Sequence, residues 1–340
     1  MRTTLDKASA YIINFIKANV PVNLMGSPGL GKSDVIGSVA KELNLKLIDF
    51  RLSTADPTDL SGIPFISNGR SAYMPNEAFP LATDTVPDGY DGWLLFLDEI
   101  TNAPMAVQAA AYQLVLDRQV GQHPIHPNVR IVCAGNMVTD GAAVTGEMST
   151  ALKSRMAHIN IELSVGAWLD WALVNKIHHS ITSFIKFKTT ALYQFDPKSA
   201  HDTFPCPRTW GMADKIVKQI GLNDPSLNNM LSATISDGAA CDYINYCKNF
   251  VNLPTYEAII ADPLNVDIPK EMSTLYALSG SIGSQVTAQT IDPIMQYIGR
   301  MPQEFQLSTF HDFTKRDGKL VTLAPVRAWL VANAKHLLGK

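Results

Sequence analysis

Charge of one sign is what this chain lacks most: of 340 residues, 28 are Lys or Arg and 31 are Asp or Glu, a net charge of −3. That balance offers no electrostatic footprint for nucleic acid or an anionic membrane, although a local basic groove remains compatible with it. Cysteine is nearly as scarce. The four present, Cys133, Cys206, Cys241 and Cys247, form no C-x-x-C pair, so neither a zinc site nor a disulfide framework is signalled and a reducing cytoplasm suits them. The opening stretch MRTTLDKASAYIINFIKANV carries Asp6 and two lysines and has no long apolar core. It reads as neither signal peptide nor membrane span, and its apolar spacing predicts a helix leading into the first strand. His178-His179 and the other histidines lack metal-ligand spacing. With 46% hydrophobic and 17% charged residues and no disordered or collagen-like bias, the composition is that of a globular chain long enough for two domains.

What is present centres on one stretch, Gly26-Ser27-Pro28-Gly29-Leu30-Gly31-Lys32-Ser33-Asp34. Gly26, Gly31, Lys32 and Ser33 fill the pattern G-x-x-x-x-G-K-[ST] of a phosphate-binding loop. The glycines let the backbone curl so that successive N–H groups point inward, and the loop opens a helix whose N-terminus favours anions. Lys32 would reach the β- and γ-phosphates of a nucleoside triphosphate, and Ser33 would hold magnesium through its hydroxyl. The context suits the motif: Val22–Met25 reads as a strand and Ser33–Leu43 as an amphipathic helix. A glycine-rich turn without a ligand is the alternative.

Along the chain, Leu45–Leu52 alternates like a strand. Pro and Gly then punctuate residues 53–87, where Ile63–Ile66 and Ser71–Met74 flank the turn signal Asn68-Gly69. This is a candidate inserted hairpin near 61–76, either a contact surface or a loop that binds nothing. Trp93-Leu94-Leu95-Phe96-Leu97 is continuously apolar, as expected of a parallel strand buried on both faces, and it ends in Asp98-Glu99. At the C-terminal edge of an open α/β sheet, Asp98 would face the magnesium beside Ser33, and Glu99 could polarise an attacking water.

A helix is predicted over about Pro104–Asp117, a second hairpin near 119–129, and another buried strand over Val129–Asn136. Asn136 closes that strand at the same edge, where its carboxamide can hold a water and a γ-phosphate oxygen, or simply form a turn. Met148–Met156 reads as a short helix that Ser149 or Thr150 could cap, and Ala157–Leu163 as a fifth strand. Arg155 then lies at the sheet periphery, free to reach another subunit or to form a surface salt bridge. From Ser164 helical patterns take over. Arg208 falls at the N-terminus of a helix expected to start near Gly211, a poor place for a cation without a phosphate or carboxylate nearby. Beyond residue 220 no stretch reads chemically.

With the phosphate loop, Asp98-Glu99, Asn136, Arg155 and Arg208 in this order, residues 10–220 resemble the AAA+ ATPases, and within them the MoxR-like family. Asp56-Pro57-Thr58-Asp59-Leu60-Ser61-Gly62 is similar to the family's segment before its inserted hairpin, and Leu97–Ala103 to its Walker B strand and turn. Gln108 and Gln119-Val120 also match. Ala103 departs from the family's usual basic residue, and Met137 from its usual proline.

The resemblance implies an α/β P-loop NTPase domain over 1–163 with a central parallel five-stranded sheet, then a mainly helical lid and C-terminal region over 164–340. It makes Asn136 sensor 1, Arg155 the arginine finger and Arg208 sensor 2. It also implies ATP and Mg2+ as cofactors and a cytoplasmic homo-oligomer, a hexameric ring, that remodels a protein partner such as one carrying a von Willebrand A domain. The other reading is a nucleic-acid motor or loader on the same module. Arg70 and Arg118 are the only arginines near the hairpins to serve it.

Overall fold

The computed structural model describes residues 1–137, 148, 153–199 and 202–338. It divides into two compact units, Met1–Ser164 with Asp196–Ser199, and Val165–Phe195 with Ala200–Lys340.

The first unit is built on a parallel sheet ordered β1-β10-β2-β9-β6-β3. In chain order its strands are β1 (Arg2–Thr4), β2 (Val22–Met25), β3 (Leu45–Arg51), β6 (Gly92–Asp98), β9 (Val129–Gly135) and β10 (Ala157–Glu162). The sheet has six strands rather than five. The extra one is β1, where Arg2, Thr3 and Thr4 pair in parallel with Asn160, Ile161 and Glu162 before the helix α1 (Leu5–Lys17) begins. Three residues ahead of a strongly periodic helix carry too little pattern to read as a strand. Pairing with β10 supplies what the local sequence does not.

Position in the sheet explains each strand's composition. β6 lies between β3 and β9 and is buried from Gly92 through Leu97; β3 is the edge strand and alternates between partly buried and exposed residues, as edge strands with one wet side do. The helices α2 (Lys32–Glu42) and α4 (Met105–Leu116) follow β2 and β6. Leu95, Leu97, Ile100, Val107, Ala111 and Leu114 share one core with Phe79 and Trp93.

Between β3 and β6 lie the short helix α3 (Pro57–Ser61) and an antiparallel hairpin, β4 (Ile63–Ser67) and β5 (Arg70–Met74). Asp56 caps α3 by accepting from Thr58 N–H at 2.9 Å. The hairpin turns on Asn68 and Gly69, both left-handed (φ 51° and 74°), as a two-residue type I′ turn demands. A second, very short hairpin joins β7 (Gln119–Val120) to β8 (His123–Pro124). Of the helix expected over Met148–Met156, residues 149–152, with the candidate caps Ser149 and Thr150, lie outside the described residues, and residues 154–156 are turn and bend leading into β10.

The second unit is helical, and its described residues include two cores. Trp210, Tyr243 and Phe184 centre one, and Tyr297, Phe313 and Phe305 the other. Helix Met272–Gln285 serves both, through Ala277 on one side and Leu275, Leu278 and Ile282 on the other. Lys186 and Asp312 form an ion pair with side chains 12% and 2% exposed.

Candidate functional site

Three strand ends of the parallel sheet converge. β2, β9 and β6 are successive neighbours, so Gly26, Asn136 and Asp98 leave the sheet side by side at its C-terminal edge, where open α/β sheets bind ligands.

The loop from Gly26 to Gly31 returns to start α2 at Lys32. Gly31 sits at φ 94°, a left-handed conformation in which a side chain is strained. Lys32 curls back over the loop: its Nζ donates to Gly26 O, to Ser27 O at 3.1 Å and to Asn136 Oδ1 at 3.1 Å. Ser33 Oγ donates to Asp98 Oδ2 at 3.4 Å. Burial is the main force raising the Asp98 pKa, with the Glu99 and Asp49 carboxylates adding to it; the Glu99 N–H, which donates to Asp98 Oδ1 at 2.8 Å, and the Lys32 cation work against it. A half-buried carboxylate that costs energy to ionise, beside a serine hydroxyl, is the donor pair expected to gain from a divalent cation. Among the described residues no group of three or more His, Cys, Asp or Glu could hold a metal. Ser33 and Asp98 are the pair here that could hold magnesium, with phosphate oxygens as its further ligands.

Glu99 adopts φ 57°, unusual for a residue with a side chain and a form of strain that collects at functional sites. Its backbone turn is held by Asn102 N–H on Glu99 O and Ile100 N–H on Ala134 O, both 2.9 Å. The carboxylate accepts from Ser53 Oγ and lies 3.7 Å from Arg51 Nε. Neither partner stood out in the sequence: Arg51 ends β3 and Ser53 lies in the 3-10 turn Leu52–Thr54 that follows it, brought to Glu99 by the pairing of Arg51 with Asp98.

The backbone of Asn136 is held by a residue of the Leu97–Ala103 segment to which the sequence assigned no role of its own. Thr101, 2% exposed, accepts from Asn136 N–H at 3.0 Å. A Cβ on Gly135 would come within 2.8 Å of the Thr101 side chain. Glycine at 135 thus lets the turn after β6 press against the end of β9. Lys32, Ser33, Asp98, Glu99 and Asn136 form one cluster.

Arg155 lies outside that cluster: exposed, in the turn just before β10, its Nη1 donates to Tyr112 Oη on α4 at 3.0 Å. Arg208 belongs to the second unit, exposed in the first turn of helix Pro207–Ile220. That helix starts four residues before the expected Gly211. Pro207 fits a first helical position, and Thr209 Oγ1 accepts from Cys206 N–H at 2.8 Å to close the turn.

Residues 21–156 match the family model of the AAA domain, dynein-related subfamily, and the parallel sheet with a helical part after it is the P-loop AAA+ fold. The match supports nucleotide binding and hydrolysis in general. The chain is 36% identical over 77 residues to the Psp operon transcriptional activator of Escherichia coli K12, a stretch that is 22% of this chain and 24% of that relative. Among solved structures it is similar to the RuvB Holliday junction branch migration motor of Thermotoga maritima, at 18% identity and a TM-score of 0.38, covering 85% of this chain and 83% of the other. Another is NtrX of Brucella abortus, at 13% identity and a TM-score of 0.39, covering 96% and 67%. Among the described residues no helix is long and apolar enough to cross a membrane.

Proposed function

We propose that this chain is a magnesium-dependent ATPase of the MoxR-like kind, working as a hexameric ring that remodels a protein partner. One observation carries the proposal: the Lys32 ammonium, the Ser33–Asp98 pair, Glu99 and the Asn136 carboxamide meet at one sheet edge. A cation, a hydroxyl–carboxylate pair, a second carboxylate and an amide are what triphosphate hydrolysis needs in one place. Loop N–H groups and Lys32 bind the phosphates, Asn136 and Glu99 orient the attacking water, and Glu99 accepts its proton. Magnesium, when bound, neutralises charge on the β- and γ-phosphates.

Arg155 acts on a neighbouring copy's nucleotide, since it is an exposed arginine that bonds to Tyr112 and to none of the residues clustered at its own phosphate loop. Arg208 acts in its own chain as the γ-phosphate sensor at the start of a lid helix. The β4–β5 hairpin meets the partner: Ile63 is 65% exposed, Ile66 83% and Met74 57%, an apolar surface on an insertion that contributes nothing to the sheet. The partner is a protein, such as one carrying a von Willebrand A domain, because no basic stripe accompanies these side chains.

Mixed assemblies test this division. A Lys32→Ala subunit cannot hydrolyse but supplies an intact Arg155, so it restores turnover to Arg155→Ala subunits and not to Arg208→Ala subunits. Failure of both mixtures to gain phosphate release, although mixed rings form, would refute the shared site.

A further inference from the structure

The chain spends two hydrogen-bonding side chains on the short segment that carries Arg155, and neither touches the nucleotide edge. Tyr112 belongs to α4; its ring packs against the buried core of the first unit, and its hydroxyl accepts from Arg155 Nη1 at 3.0 Å. His158, three residues beyond Arg155 on β10, places Nε2 at 2.7 Å from Lys153 O. A carbonyl oxygen only accepts, so Nε2 carries the hydrogen and donates. Nδ1 is then left to accept, and Asn23 Nδ2 lies 3.3 Å from it.

Asn23 is the telling residue. It sits in the middle of β2 at 1% exposure, opposite His158 in the strand register, and its Oδ1 has no hydrogen-bond partner among the described residues. A buried amide with an unsatisfied oxygen is costly in a central strand where any apolar residue would pack. Its amide N–H has one visible use, the His158 ring. Between these two ties, Met156 is buried at 7% exposure within the same core as α4. The exposed Arg155 is therefore mounted at three points: its guanidinium on Tyr112, the carbonyl two residues before it on His158, and the residue after it in the core.

We propose that Tyr112 and His158, the latter braced by Asn23, are positioning residues that hold Arg155 in place for the nucleotide of a second copy of this chain. This rests on the reading that Arg155 acts in trans. A long arginine side chain on a surface samples many rotamers, and the fraction poised to meet a developing charge sets how much of its cation reaches the transition state. Fixing the guanidinium beforehand removes that loss at the moment of reaction. Asn23 lies three residues before Gly26, so the mount also ties the presented arginine to the strand that feeds the chain's own phosphate loop.

The experiment uses the full-length chain, at concentrations where the wild-type rate per chain no longer rises. Tyr112→Phe keeps the packed ring and removes only the hydroxyl. It is expected to lower kcat about tenfold, in the range that small misplacements of a catalytic group produce, with the KM for ATP and the melting temperature unchanged. His158→Phe is expected to act in the same direction. The double variant Tyr112→Phe/Arg155→Ala should be no slower than Arg155→Ala alone, because a positioning residue has nothing left to position. Mixing with Lys32→Ala subunits should restore the Tyr112→Phe rate. Wild-type kcat in Tyr112→Phe, a multiplicative loss in the double variant, or a loss fully matched by failed assembly would each overturn the mount. Unchanged turnover in Arg155→Ala would instead overturn the trans-acting role on which it rests.

Discussion

Both units of this chain bury charged and polar side chains, but to opposite ends. In the first, Lys32, Asp98, Glu99 and Asn136 are half-buried where strands stop, and they lean on backbone carbonyls and on one another. In the second, Asp312, Asp214, Ser180 and Tyr243 are buried between helices. Lys186 meets Asp312 and Ser308, Asp214 holds His178 N–H and Lys218, and Ser180 bonds to Tyr243. A group at a sheet edge can exchange its partners for a ligand without disturbing the core; a group between helices cannot. On the proposed function the same residue types serve chemistry in one unit and packing in the other, and substitutions should separate turnover from stability along that line.

The largest separation is expected at Glu99. Glu99→Gln should lower kcat by about 10³-fold, within the range for removing a general base, while ATP affinity and melting temperature hold. Lys32→Ala should lose nucleotide binding itself. A Glu99→Gln protein that releases phosphate at the wild-type rate would take the first unit out of this comparison.

In the second unit the reverse is expected of Lys186→Ala. It strands Asp312, whose side chain is 2% exposed, and breaking a buried pair from one side costs about 3–5 kcal/mol. Urea denaturation should show that loss, and nucleotide affinity should not move. Removing both partners, Lys186→Met with Asp312→Leu, should recover most of the stability. If Lys186→Ala changes nucleotide affinity and leaves stability alone, the distinction fails.

The smaller effect is one of pH. Burial, with the neighbouring His178 adding to it, pushes the His179 pKa from 6.5 down to about 3. Folding therefore favours the neutral ring: the contribution is complete above pH 6.5 and is lost as pH falls toward 3, because the unfolded chain binds the proton first. At pH 5 the loss is about 2 kcal/mol for a shift of this size. Urea midpoints at pH 7 and pH 5 should differ accordingly, and His179→Gln should narrow the gap. An unchanged gap would place the acid sensitivity elsewhere.

How much of this was legible beforehand follows from how local each signal is. The phosphate loop, the apolar run into Asp98-Glu99, the Asn68-Gly69 hairpin and the strand closing on Asn136 declare themselves within ten residues, since glycine conformation, two-sided burial and turn chemistry act over that range. β1 was missed because its three residues become a strand only beside β10. Ser53, Arg51 and Thr101 were missed for the same reason: each reaches the site through pairing or packing of segments distant in the chain. Helix Pro207–Ile220 starts at Pro207 rather than near Gly211, a start legible in the proline, which suits a first helical position. In the second unit helical spacing was plain, yet nothing local distinguishes Lys186, with its carboxylate partner 126 residues away, from a surface lysine.

The sharing of the site between copies is tested most directly by phosphate release per chain as a function of chain concentration, with assembly followed by sedimentation in the same samples. The rate per chain should be low where the chain is monomeric and rise with assembly to a plateau, and Arg155→Ala should assemble without that rise. A full wild-type rate from the dilute monomer would contradict it.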